Sequence, residues 1–170
     1  MRHFARRGMQ ESAILTRAEL AEAGRCLDLE AYVPGLVTWL ANKLSAGASK
    51  LYRERFGLGI IDWRVLSSIA AEDGCTAVRI CQVVGLDKAA VSRSFAQLGE
   101  RGLIRLDPVR ARARPARLTP AGRKVHDAIL DLALERQARL LDSLSQAEVA
   151  ELVRLLHVLL GKVPDANSVG

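Results

Sequence analysis

Between Arg105 and Arg117 the chain places Arg105, Arg110, Arg112, Arg114 and Arg117, with Asp107 as the sole acid. Like charges at that density repel one another, and a purely structural turn gains nothing from them. They make sense if a polyanion neutralises them, as nucleic-acid phosphates do. Arginine at a hairpin tip also suits a narrow minor groove, where the potential is most negative. The plain alternative is a solubilising surface turn.

Just upstream lies a second set. On a helix turning 100° per residue, Val91, Phe95 and Leu98 fall within about 60° of one another and anchor one face. Ala89, Ser92, Arg93 and Ala96 then face outward, with Lys88 at the N-terminal end. Arg reads guanine edges, Ser bonds bases or phosphates, and a small Ala permits approach to a thymine methyl. The ordinary alternative is an amphipathic helix with a solvated polar face. The arginine cluster that follows shifts the balance toward recognition.

These residues need elements to hold them. Thr76 can cap a helix from Ala77 to Val84, and Asp87 another from Lys88 to about Arg101, with Gly85 and Gly102 after their ends. The pair, joined through Gly85-Leu86-Asp87, forms a helix-turn-helix. Leu103 to Leu106 and Ala116 to Leu118 read as short strands around the Arg-rich loop Val109 to Pro115.

Upstream, residues 1–30 form an arm. Thr16-Arg17-Ala18-Glu19 has capping-box spacing, and Gly24 ends a short helix there. Leu36, Leu40, Leu44, Ala48 and Leu51 stripe a long helix that Pro34 opens and Gly57 and Gly59 break. Ile61 to Ile69 is the next helix, stopped near Asp73-Gly74. Downstream, Thr119 and Pro120 open a long helix to about Leu144. Ser145-Gln146-Ala147-Glu148 caps a last helix to about Val163, stopped by Pro164.

Composition agrees with such a frame. The 170 residues carry a formal charge of +6, which favours an acidic partner: nucleic acid first, an anionic membrane surface second. Hydrophobic residues at 49% are too many for a disordered chain, and aromatics at 4% leave a core of Leu, Val, Ile and Ala. No apolar run approaches the ~18 residues of a membrane span. Arg2, Arg6 and Arg7 precede no apolar stretch, so a secretory signal is not expected. Cys26, Cys75 and Cys81, odd in number, fit reduced thiols in a cytoplasm. Their spacing is not a zinc pattern.

The run from Gly57 to Gly122 resembles the MarR family (multiple antibiotic resistance regulators). The motifs are Leu86-Asp87-Lys88-Ala89-Ala90-Val91-Ser92-Arg93, Leu98-Gly99-Glu100-Arg101-Gly102-Leu103-Ile104 and Leu118-Thr119-Pro120-Ala121-Gly122. The flanking helices match in length, so the resemblance covers roughly residues 30–163. It implies a mainly α fold with a small β-hairpin wing. A winged helix-turn-helix (61–118) would sit between dimerisation helices (31–56 and 119–163), in one domain of 31–163 with a tail of 164–170. It implies a homodimer on a pseudo-palindromic double-stranded DNA operator. Lys88, Ala89, Ser92, Arg93, Arg110, Arg112 and Arg114 would contact the DNA. A repressor released by a small aromatic or anionic effector is the expected mode, with no cofactor, no metal and no catalysis. The wing departs from the family, which often has Asp-x-Arg there as a brace. This chain has Arg110 followed by Arg112, leaving the wing looser or braced by Asp107.

Relatives bind effectors between the dimer helices and the DNA module, so Trp39 and Trp63 are candidates to line such a cavity. A Trp at helical spacing is as readily core. Hydroperoxide-sensing relatives use a Cys near the start of the first long helix. Here Leu36 falls at that place and Cys26 about ten residues earlier, so the thiols read as small buried or half-buried groups. His126 and His157 read as structural histidines, without a His and Glu cluster for zinc. Val149, Leu152, Val153, Leu155, Leu156, Leu159 and Leu160 spread over about 160° of the last helix. That is wider than the ~100° stripe of a surface helix and fits a dimer interface or cover by the arm. An enzyme would need a nucleophile–base–orienter set, which is not visible. A structural or RNA-associated winged-helix module without an effector is the remaining rival.

Overall fold

A computed structural model of the chain describes residues 28–108 and 114–168. The expected capping box at Thr16 and helix stop at Gly24 lie outside these residues. The chain divides into two compact units, Met1–Ile60 and Ile61–Gly170.

The first unit is built on helix α1 (Val33–Phe56), with Pro34 in its first turn, where a missing N–H costs nothing. Arg53 and Arg55 occupy the last turn, where the helix dipole favours cations, and Gly57 ends it. The expected apolar stripe is buried unevenly. Ala48 is buried, Leu44 and Leu51 are half-buried, and Leu36 and Leu40 are exposed beside Val37 and Trp39.

Helix α2 (Ile60–Ala71) leads into the second unit. Helix α3 (Ala77–Val84) and helix α4 (Lys88–Glu100) follow, then strands β1 (Ile104–Leu106) and β2 (Ala116–Leu118). The strands are antiparallel, pairing Ile104 with Leu118, Arg105 with Arg117 and Leu106 with Ala116. Helices α5 (Pro120–Leu140) and α6 (Gln146–Asn167) complete the chain. This is the mainly α fold with a β-hairpin wing that the sequence predicts. Leu66, Ile69, Ile80, Val91, Leu98 and Ile129 are fully buried. Truncating one such Leu or Ile to Ala costs roughly 2–5 kcal/mol.

Two helix ends differ from expectation. Helix α5 stops at Leu140, not Leu144. Ser145 must be extended (φ −68°, ψ 160°) to cap the next helix, so the chain leaves α5 early. Residues 141–144 make a tight turn in which the Leu144 N–H reaches Leu141 O at 3.0 Å. Helix α6 also runs through Pro164 to Asn167 rather than stopping there. Proline removes one i→i−4 bond. The helix resumes past it, with the Lys162–Asp165 pair spanning the site and the Ser168 hydroxyl closing on Asp165 O. The capping box of Ser145 and Glu148 forms as expected. Each partner's side chain bonds the other's backbone N–H. The Ser145 hydroxyl first, then its backbone N–H, donate to the Glu148 carboxylate and hold it below its ordinary pKa.

No described helix is long and apolar enough to cross a membrane.

Candidate nucleic-acid interface

Each end of the helix-turn-helix is set by a named group. The Thr76 side chain accepts from the Arg79 N–H and starts α3, and Gly85 ends it. The Asp87 carboxylate accepts from the Ala90 N–H at 2.8 Å and starts α4. An acid capping a helix satisfies an orphan donor and suits the positive end of the dipole.

Helix α4 buries Ala90, Val91, Ser94, Phe95 and Leu98. The opposite face exposes Lys88, Ala89, Ser92, Arg93 and Ala96 together. From Lys88 to Gly99 that face has cations and small groups but no acid. The helix is therefore divided into the two faces that helical periodicity predicts, with one addition. Ser94 also points inward, where its hydroxyl donates to Asp62 Oδ1 at 2.7 Å. A serine three residues after Val91 and four before Leu98 was the sequence signal for a buried polar group in need of a partner.

The wing base changes the reading of two arginines. Arg105 Nη1 donates to Asp107 Oδ1 at 3.0 Å, and Arg117 Nε donates to Asp107 Oδ2 at 2.8 Å. Arg117 Nη1 also pairs with Asp73. Arg105 and Arg117, expected among the charges awaiting a polyanion, thus have carboxylate partners inside the chain. Of the two expectations, a looser wing or one braced by Asp107, the hairpin base shows Asp107 bonded to an arginine of each strand. Arg114 is exposed. Arg110 and Arg112 lie outside the described residues.

The junction from wing to α5 depends on close approach. The Thr119 hydroxyl donates to Gly102 O at 2.7 Å, and the Thr119 N–H donates to Leu103 O. The Gly122 N–H closes on Thr119 Oγ1 at 3.0 Å. A Cβ on Gly122 would lie 1.8 Å from Leu103 O, so this position admits only glycine without a shift. That is the physical content of the Leu-Thr-Pro-Ala-Gly motif.

Trp63 stacks on the buried His126, ring centroids 5.3 Å apart, and His126 Nδ1 lies 2.7 Å from Asp127 Oδ1. His126 is thus a satisfied structural histidine. His157, expected in the same role, is exposed on α6. Trp39, in the first unit, is exposed. A cleft of about 270 Å³ opens beside α3, lined by Ser67, Ala71, Cys75, Ile80 and Val83 among others, and neither tryptophan lines it. Cys75 is buried, and that burial pushes its thiol pKa up, away from a reactive thiolate. Cys81 is half-buried, and Cys26 lies outside the described residues. Among the described residues, no three His, Cys, Asp or Glu gather into a metal-binding group.

A family model described as the MarR family matches residues 56–114. A MarR/EmrR family transcriptional regulator from Acinetobacter sp. ADP1 is similar at 32% identity and a TM-score of 0.76, over 82% of this chain and 99% of that one. A MarR family regulator from Silicibacter pomeroyi shares 26% identity and a TM-score of 0.73, over 85% and 96%. S. aureus MepR, in its DNA complex, shares the fold at 20% identity and a TM-score of 0.69, over 81% and 99%. Comparison with curated proteins gives no match. The 32% identity across almost all of the Acinetobacter regulator, with the family model seated on the helix-turn-helix and the first strand of the hairpin, places this chain in the MarR family of DNA-binding transcriptional regulators, which are not enzymes.

Proposed function

We propose that the protein is a homodimeric, sequence-specific regulator that acts in the cytoplasm as a repressor on a pseudo-palindromic operator. Helix α4 enters the major groove, with Ser92 and Arg93 near the centre of the contact and Lys88 and Ala89 at its start. Arg110, Arg112 and Arg114 reach the flanking backbone or minor groove. The observation that carries this reading is the outward face of α4, where Lys88, Ala89, Ser92, Arg93 and Ala96 are exposed together opposite an anchored apolar face. MepR, which shares the fold, is seen bound to DNA, and that supports the same use here.

Repression by occupancy ends when a small aromatic or anionic effector favours a geometry that cannot bind the operator. Such a ligand shifts the equilibrium only by its differential affinity for the two states. Trp39 and Trp63 are the proposed reporters of its binding.

A band-shift with DNA from upstream of its own gene tests the reading, with random DNA and duplex RNA as competitors. A retarded complex that survives both competitors is expected. Equal displacement by duplex RNA would favour an RNA-associated module and would overturn it.

A further inference from the structure

We propose that Arg117 is a positioning residue, which joins the wing to the turn between α2 and α3 and thereby sets operator affinity without touching DNA. The proposal rests on the reading that α4 and the wing bind DNA.

Arg105 and Arg117 stand directly opposite each other on the antiparallel pair. Like charges in that position are destabilising. Asp107 resolves the conflict by accepting from both, one arginine on each oxygen. Its side chain is only 18% exposed, and that of Arg117 is 33% exposed, so the pair is shielded from much of the solvent. Two arginines and two aspartates make a neutral knot. Its cations are already engaged and are poor candidates to release counterions from phosphate.

The knot extends beyond the hairpin. The second arm of the Arg117 fork holds Asp73, in the turn that follows α2. The next residue, Gly74, has φ +78°, and a Cβ there would lie 3.4 Å from Arg117 Nη2. Glycine thus permits the turn through its positive φ, with the guanidinium packed alongside at ordinary contact distance. Cys75 O then accepts the Ala116 N–H at 2.9 Å. Strand β2 is therefore tied to the α2–α3 turn twice, by backbone at Ala116 and by charge at Arg117. The Asp107 N–H bonds Pro115 O at 2.8 Å, so the hairpin leaves this knot as a closed pair. An exposed ion pair contributes little stability. A planar fork between two carboxylates supplies direction instead. That function suits a wing whose own brace position is occupied by Arg110.

Asp73→Asn in the full chain gives opposite signs for the two accounts. The substitution removes a negative charge from a DNA-binding protein. Electrostatics alone predicts equal or tighter binding. Positioning predicts about three- to tenfold weaker binding to the operator. Affinity for random DNA should change less, with the slope of log affinity against log salt unchanged. Asp73→Glu should retain most of the operator affinity, and Arg117→Lys, which keeps the charge but loses the fork, should not. Equal or tighter operator binding by Asp73→Asn would overturn the proposal. So would a salt slope reduced by about one in Arg117→Ala, which would make Arg117 a phosphate contact. If Arg93→Ala weakens operator binding while Asp73→Asn does not, only the positioning role fails. If the wild-type chain binds no DNA, the functional reading fails with it.

Discussion

The Ser94 hydroxyl donates to Asp62 Oδ1 across 2.7 Å, joining the inner face of α4 to the first turn of α2. Both residues are buried. The helix proposed to read DNA is therefore held by one polar contact as well as by Val91, Phe95 and Leu98. A hydrogen bond has direction where apolar packing does not, so the pair fixes the rotation of α4 about its axis.

Ser94→Ala takes that donor from a buried carboxylate. Hydrogen bonds to charged groups contribute about 1.5–3 kcal/mol, and a loss in this range is expected from urea unfolding. An unchanged midpoint would show that the other contacts of Asp62 suffice.

The Gly122 contact with Leu103 O predicts opposite signs for one chemical change at two glycines. Gly122→Ala forces the Leu103 backbone aside and should destabilise by at least about 1–3 kcal/mol. Gly99→Ala, in helix α4 with nothing within 4 Å of the new Cβ, should stabilise by up to ~1 kcal/mol. Thermal melts of the two variants check this. Equal shifts would mean that the close approach at Gly122 carries no weight.

Local signals made most of this legible in the sequence. Thr76, Asp87, Thr119 and Ser145 each cap the helix they were expected to cap, because capping is chemistry between near neighbours. The outward face of α4 followed from helical periodicity alone. The Arg117–Asp73 and Ser94–Asp62 pairs did not, since their partners lie far apart in sequence and charge type alone does not select among many candidates. The end of α5 escaped for another reason. No Gly or Pro marks Leu141 to Leu144, and the stop comes from the extended conformation that Ser145 requires.

Helix α6 predicts assembly. None of its residues is buried within the chain, though Leu152, Leu155, Leu156 and Leu159 line it. Sedimentation in dilute buffer should give a species near twice 18.5 kDa. Leu156→Asp should shift it toward monomer, because it places a charge in an apolar seam. A clean wild-type monomer at micromolar concentration would remove the proposed dimer.

Helix α4 is proposed to read bases while the wing arginines hold phosphate or the minor groove. Contacts of the two kinds have separable signatures, since phosphate contacts position the protein and base contacts specify the sequence. The most direct measurement is the affinity of Arg93→Ala for the operator and for random DNA, titrated across salt beside a triple Arg110, Arg112, Arg114 to Ala variant. Arg93→Ala should lose about 1–3 kcal/mol on the operator and much less on random DNA. The triple variant should weaken on both DNAs, with a salt slope lower by about one for each phosphate contact removed. Equal losses on both DNAs for Arg93→Ala, or unchanged affinity and slope for the triple variant, would contradict the account.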